Sequence, residues 1–256
     1  TSFDGDGRVV TDFSGSYEDA YAVKVQDDDK ILVAGSSDNG NLGLDFALAR
    51  YDPNGILDPT FGSGGKVLTN FVDKTDVATA LLLLPDNKIL AAGYAVNGSY
   101  YDFALARYTA DGVLDPTFSD DGKMLTDLSG KSDYAYALIL QPDNKIVAAG
   151  YADNNFALAR YDLDGNPDIT FSEDGEVTTN FGGTDRGRAL VRQGDGKLVV
   201  AGTVDLGGNI NFGVARYTTA GVLDGTFDGD GMVTTDFAGS ADNATAVTMG
   251  PGGSIV

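Results

Sequence analysis

Short runs of alternating apolar and polar residues recur along the chain, and none of them carries the 3.6-residue period of an amphipathic helix. The clearest run is Phe-Ala-Leu-Ala-Arg-Tyr, at residues 46–51, 103–108 and 156–161, and altered to Phe-Gly-Val-Ala-Arg-Tyr at 212–217. Built as a strand, it places Phe, Leu and Arg on one face and Ala, Ala and Tyr on the other. Aligning the Phe that precedes each Gly/Asp-rich turn (Phe3, Phe61, Phe118, Phe171 and Phe227) gives spacings of 58, 57, 53 and 56 residues. Self-similarity at such a period marks a repeat architecture. It divides one repeat domain, 1–256, into units 3–60, 61–117, 118–170 and 171–226 and a partial unit 227–256.

Each unit predicts four strands. The first (7–13, 65–71, 122–128, 175–181, 231–237) is β-branched and alternating behind a turn of Gly and Asp. The second (20–25, 78–83, 135–140, 187–192, 244–249) begins with small residues and ends in large apolar ones, suiting an inner strand crowded against its copies. Tight turns reading Pro-Asp-Asn-Lys at 85–88 and 142–145, with variants at 27–30, 194–197 and 251–254, predict a hairpin into the third strand. That strand (31–35, 89–93, 146–150, 198–202) is nearly continuously apolar and therefore buried on both faces. A loop of variable length leads to the fourth, the Phe-Ala-Leu-Ala-Arg-Tyr run. Four short antiparallel strands in tandem units predict an all-β fold, a β-propeller of four-stranded antiparallel blades with four complete repeats and an incomplete fifth. A β-solenoid is the alternative, against which the tight hairpin turns argue.

The run Phe-Ala-Leu-Ala-Arg-Tyr-x-x-x-Gly-x-Leu-Asp-x-Thr-Phe, followed by Asp-Gly-Lys/Arg-Val and then Pro-Asp-Asn-Lys-Ile-x-x-Ala-Gly, resembles the delta-60 repeat found in tandem in many bacterial proteins. The resemblance covers essentially the whole chain. It implies a propeller without an established activity, carried in large bacterial surface or secreted proteins. The strand layout is also similar to that of NHL-type and lactonase-type propellers, an analogy of layout alone. The fifth copy stops at Ser254-Ile255-Val256, where the others continue into a further strand and a half. Together with a first residue Thr1 and no leader-like segment, this gives the expectation of a piece of a longer array, whose other repeats would be partners.

Composition narrows the chemistry. With 17 basic and 38 acidic residues the net charge is -21, which opposes nucleic acid and anionic lipid and favours cations or basic partners. No apolar run approaches the length of a membrane span, so no membrane insertion is expected. There is no cysteine and no histidine, which removes disulfides, thiolate and imidazole metal sites, cysteine nucleophiles and Ser-His-Asp triads from these residues. An acidic chain rich in Gly, Asp and Asn and lacking cysteine suits an extracellular or cell-surface location.

Candidate functional residues lie where the repeats disagree. Strand alternation places the Pro-Asp-Asn-Lys turns and the Asn/Asp-Gly turns at one end of each blade, and at the other end the segments 36–45, 94–102, 152–155 and 203–211, which vary in length and content. Tyr100 and Tyr101 belong to one of these. The starts of the second strands open onto the same end, with Asp19, Val77, Tyr134, Arg186 and Asn243 at one slot and Tyr21, Thr79, Tyr136, Arg188 and Thr245 two residues on. Tyr21, Tyr134, Tyr136, Arg186 and Arg188 therefore offer aromatic faces and guanidinium forks to a sugar or a carboxylate. Arg192 occupies a slot held elsewhere by Val25, Leu83, Leu140 and Met249, and is either functional or a partner to Asp185 or Asp195.

The acidic slot Glu18, Asp76, Asp133, Asp185 and Asp242 either gathers a cation or caps its own turn, and the second role needs no ligand. Arg50, Arg107, Arg160 and Arg216 recur once per unit and read as scaffold. Asp4-Gly-Asp6 and Asp228-Gly-Asp230 resemble pieces of oxygen-rich loops, but none completes a calcium loop with its distal Glu. No cofactor is expected, with calcium at Asp4, Asp6, Asp228 and Asp230 as the weaker alternative to turn chemistry. These readings predict a non-catalytic module binding a protein or glycan. The rivals are a metal-dependent hydrolase or lactonase-like propeller and a purely structural spacer.

Overall fold

The computed structural model describes residues 3–13, 15–38, 40, 43–72, 74–239 and 241–256. Among them are sixteen strands: β1 (Glu18–Val25), β2 (Ile31–Asp38), β3 (Leu44–Tyr51), β4 (Lys66–Thr69), β5 (Asp76–Leu83), β6 (Ile89–Asn97), β7 (Tyr100–Tyr108), β8 (Lys123–Thr126), β9 (Asp133–Leu140), β10 (Ile146–Ala152), β11 (Asn155–Tyr161), β12 (Glu176–Thr179), β13 (Thr184–Arg192), β14 (Leu198–Asp205), β15 (Ile210–Tyr217) and β16 (Met232–Thr235). They form four antiparallel sheets in chain order, each a blade of a β-propeller, as the alternating pattern predicts. Two compact units hold two blades each: Thr1–Thr126 carries β1–β4 and β5–β8, and Asp127–Val256 carries β9–β12 and β13–β16. Among the described residues no helix is long and apolar enough to cross a membrane.

Blade and repeat are offset. Lys66–Thr69, the first strand of the second repeat, pairs with β3 of the first, Phe46 opposite Thr69 and Leu48 opposite Val67. Three strands of one repeat and the first of the next therefore make one sheet. This explains two departures from the sequence pattern. Residues 7–13 and 244–249 have strand composition but form no strand, and Met249 makes only an isolated bridge to Ile255. A strand is held by its ladder. Among the described residues neither 7–13 nor 244–249 has a strand beside it.

The hairpin turns are built on a left-handed position filled by Asp29, Asn87 and Asn144 (φ 62° each) and by Gly196 (φ 91°), residue types that tolerate it. In the first unit one apolar cluster takes Leu32, Ala34, Phe46 and Leu48 from the first blade and Ile89, Ala91, Ala104, Ala106 and Tyr108 from the second. The second unit repeats it, with Val147, Ala149, Phe156 and Leu158 against Leu198, Val200, Ala215 and Tyr217. Small residues on one face receive large ones from the next, and this is the packing that the Phe-x-Leu and Ala-x-Ala alternation encodes.

The repeated arginine is the clasp at the turn end. Arg50 is 4% exposed; its Nε donates to Asp58 Oδ2 at 2.9 Å, Nη2 to Thr60 Oγ1 at 3.2 Å and Nη1 to the Ala110 carbonyl in the next blade's turn. Its guanidinium lies 4.6 Å from the Phe61 ring centroid. Arg160 repeats the set, 2.8 Å from Asp168, bonded to Thr170 and to the Thr219 carbonyl at 2.7 Å. The Leu-Asp-x-Thr-Phe motif is thus the socket for Ala-Arg-Tyr, and these arginines are scaffold.

Candidate binding site at the loop ends of the blades

A β-bulge sets the site. In each sheet the register between the first two strands shifts by one, between Ala20 and Ala22, Ala78 and Ala80, opposite Ala149 and Gly150, and between Gly187 and Ala189. The residues that the register skips are Tyr21, Thr79, Tyr136 and Arg188. A bulge bends the strand and re-aims its extra side chain. The glycine of each Ala-Gly pair makes it possible. A Cβ on Gly35, Gly93 or Gly150 would lie 1.8 Å from the carbonyl oxygen of Asp19, Val77 or Tyr134, and on Gly202 2.0 Å from that of Arg186. The glycine therefore lets the neighbouring strand carry an extra residue whose identity varies between copies.

In the second unit these positions converge. Tyr134 and Tyr151 are directly opposed across β9 and β10, and their rings stack with centroids 4.8 Å apart; Tyr136 stacks on Tyr151 at 5.9 Å. Arg188 lies 4.5 Å from the Tyr136 centroid and Arg186 5.7 Å from that of Tyr151. Burial pushes the Tyr151 phenol well above its usual range, with the Tyr136 and Tyr134 phenols adding to it and Arg186 opposing, so the ring remains neutral at physiological pH. Cation–π contact holds two guanidinium groups on a tyrosine stack. Arg186 is exposed and Arg188 half-buried.

Tyr134, Tyr136, Arg186 and Arg188 are thus brought together, and Tyr151 joins them. The sequence reading ended the third strand at Gly150 and left Tyr151 outside it; running that strand one residue further places Tyr151 opposite Tyr134. In the first unit the matching slot holds Tyr94, whose ring meets Tyr101 edge-on at 5.3 Å. Tyr100 and Tyr101 lie on β7 rather than in a loop, opposite Asn97 and Val96, because the hairpin continues to a turn at residues 98–99. The other variable segments shorten likewise, to 153–154 and 206–209; residues 39, 41 and 42 of the first lie outside the described residues. Tyr21 is exposed and donates to Asp19 Oδ2 at 2.9 Å, a carboxylate that also accepts from Tyr17.

Arg192 stands apart. It ends β13 opposite Leu198, at the turn end, where it lines an open cavity of about 510 Å³ with Asp143, Arg160, Thr170 and Asp195. Asp185 is seven residues away along the strand, roughly 23 Å at 3.3 Å per residue, beyond its reach. Among the described residues it forms no ion pair with Asp195 either.

The acidic slot caps turns. Asp76, Asp133, Asp185 and Asp242 each accept a backbone N–H at 2.7 Å, from Phe71, Leu128, Phe181 and Phe237. Asp6 and Asp230, candidates for calcium, accept the N–H of Arg8 at 2.8 Å and of Met232 at 2.9 Å, as their copies Asp121 and Asp174 do for Lys123 and Glu176. Asp4 and Asp228 occupy left-handed turn positions, φ 43° and 50°. The same turn recurs at 119–122 and 172–175, whereas the second copy, Gly62-Ser63-Gly64-Gly65, turns differently, with Ser63 N–H donating to the Lys66 carbonyl at 2.8 Å.

The model of a sequence family described as a domain of unknown function (DUF5122) beta-propeller matches residues 26–61, 84–118, 141–171 and 193–227. No curated protein matches the chain in sequence. Among solved structures it is similar to a protein of unknown function from Dyadobacter fermentans DSM 18053, at 13% identity and a TM-score of 0.45, covering 80% of this chain and 67% of that one. Sqt1 from Chaetomium thermophilum matches at 11% identity and 0.45, covering 92% and 65%. Fructan 1-exohydrolase IIa from Cichorium intybus matches at 12% identity and 0.37, covering 78% and 42%. The chain spans between 42% and 67% of the length of these three structures.

Proposed function

The chain belongs to the DUF5122 beta-propeller family, whose domain has no assigned function, and from that premise we propose that it is a non-catalytic module binding a protein or glycan through the loop ends of its blades. The observation that carries this reading is the stack of Tyr134, Tyr151 and Tyr136 flanked by Arg186 and Arg188. Stacked aromatics offer flat apolar area at low entropic cost, and guanidinium forks fit carboxylates. In a chain of net charge -21, two cations on one tyrosine stack form a local exception that favours an anionic group on the ligand. Tyr21, Tyr100 and Tyr101 serve as secondary contacts on the first unit in this proposal, and Arg192 belongs to the opposite end. The repeat is of the delta-60 type, and the protein is secreted or displayed on a bacterial surface, which its acidity and lack of cysteine suit.

Titration calorimetry of the chain against uronic-acid oligosaccharides and acidic peptides tests the reading. One of the two sets should bind, and the Arg186→Ala/Arg188→Ala variant should bind it at least ten-fold more weakly. Binding that the double variant leaves unchanged, or turnover of the ligand, would count against it.

A further inference from the structure

The turn end of the blades carries a crevice in each unit, and the two copies differ in charge. In the first unit its walls include Asp27, Asp28, Lys30, Arg50, Asn87 and Asp111; in the second they include Pro142, Asp143, Arg160, Arg192, Asp195 and Ala220. Each crevice measures about 510 Å³. Pro142 and Ala220 stand where the first copy has Asp27 and Asp111, so two carboxylates are lost from those positions. A guanidinium is gained, because Arg192 ends β13 opposite Leu198 at the register position that Leu83, opposite Ile89, holds at the end of β5.

The two arginines of the second crevice have different roles. Arg160 is committed to the scaffold: it lies 2.8 Å from Asp168 and donates to Thr170 Oγ1 at 3.0 Å and to the Thr219 carbonyl at 2.7 Å. Arg192 is half-buried and reaches along the turn, where a Cβ on Gly196 would stand 3.8 Å from its Nη2. That turn position is left-handed in both copies, φ 91° at Gly196 and 62° at Asn87. The glycine leaves open the room that the Asn87 side chain takes in the first crevice. On the acidic side, Lys30, Lys88 and Lys197 each bridge to the aspartate two residues before, at 2.9, 3.2 and 3.5 Å. Lys145 instead lies 3.6 Å from Asp168, and Asp143 lines the crevice wall.

We propose that the crevice of the second unit binds a small zwitterion, an α-amino acid, with its carboxylate on Arg192 and its ammonium toward Asp143 and Asp195. A guanidinium fork fits a carboxylate through two parallel hydrogen bonds. A simple anion would set its charge against the two aspartates of the same walls, and a simple cation would meet Arg192. A molecule that carries both signs a few atoms apart satisfies both walls and is selected over either half alone. The volume lies within the range of small-molecule sites. This site is at the opposite end of the blades from the tyrosine–arginine cluster and does not rest on the reading of that cluster.

The test is an NMR titration of the whole isotope-labelled chain with glycine and with L-serine, read at the Arg192 Nε–H and at the backbone amides of 194–197. Acetate and methylamine, the two halves of the zwitterion, are titrated beside them. An amino acid should give saturable shifts at an affinity at least ten-fold above that of either half. Arg192→Leu installs the residue that Leu83 and Leu140 supply in the copies; with its unfolding midpoint unchanged, it should lower the affinity at least ten-fold. Asp143→Asn should weaken the amino acid and leave acetate as it was or tighter, and Arg186→Ala/Arg188→Ala should change neither. Failure of both amino acids to bind, equal affinity for acetate, or binding retained in the folded Arg192→Leu chain overturns the proposal. So does binding lost in the Arg186→Ala/Arg188→Ala chain, since the ligand would then sit at the other end.

Discussion

Asp58 is held between opposing effects. Burial pushes its carboxyl up, but the Thr60 hydroxyl and amide, with Arg50 and Lys30, outweigh it and bring it to about 2; Asp115 reaches about 2 in the same socket. An unfolded aspartate titrates near 3.9, so the lowered folded value contributes stability that is complete above about pH 4 and lost as pH falls toward about 2. Urea midpoints should be flat from about pH 5 to 8 and fall between about 4 and 2. Asp58→Ala leaves the buried Arg50 without its carboxylate and should cost about 3–5 kcal/mol by urea denaturation at neutral pH. This socket was legible in the sequence only as recurrence: Arg50 and its copies repeat too regularly to be catalytic, but their partners, eight residues on, appear only when the chain turns back on itself.

At the scale of the element, the bulge opposite each glycine separates scaffold from site. Gly93→Ala would place a Cβ 1.8 Å from the Val77 carbonyl, a backbone atom that cannot yield without breaking the register. Its cost should lie at the severe end for single substitutions, about 4 kcal/mol or more in thermal unfolding. Gly98→Ala, in the β6–β7 turn with φ 66° and open space around it, should cost only about 1 kcal/mol. Period-two alternation located the strands well, because burial of alternate faces imposes it. It left out the bulge, which changes no residue type on the bulged strand and shows only as the invariant glycine on its partner. Strand composition also overcalled residues 7–13 and 244–249, where alternation is present and the ladder partner is not.

For the molecule as a whole, repetition and divergence divide the labour. What recurs in the copies (the Arg socket, the capping Asp, the Tyr–Thr hydrogen bond) holds blades together within each unit, and what differs stands at the bulges. The four-sheet fold was legible because its period is written in four copies of one phrase. The tyrosine–arginine cluster was legible in four of its five members; Tyr151 required knowing how far β10 extends. Tyr108→Phe, which removes a buried hydroxyl and leaves Thr69 without that donor, should lower stability by about 1 kcal/mol without touching ligand binding. The most direct measurement pairs binding with stability in the Arg186→Ala/Arg188→Ala chain, by calorimetry against the ligand set above and by thermal unfolding. Binding lost with an unchanged unfolding midpoint is the predicted result. Binding retained, or lost only because the midpoint falls, would contradict the assignment of function to the positions where the repeats diverge.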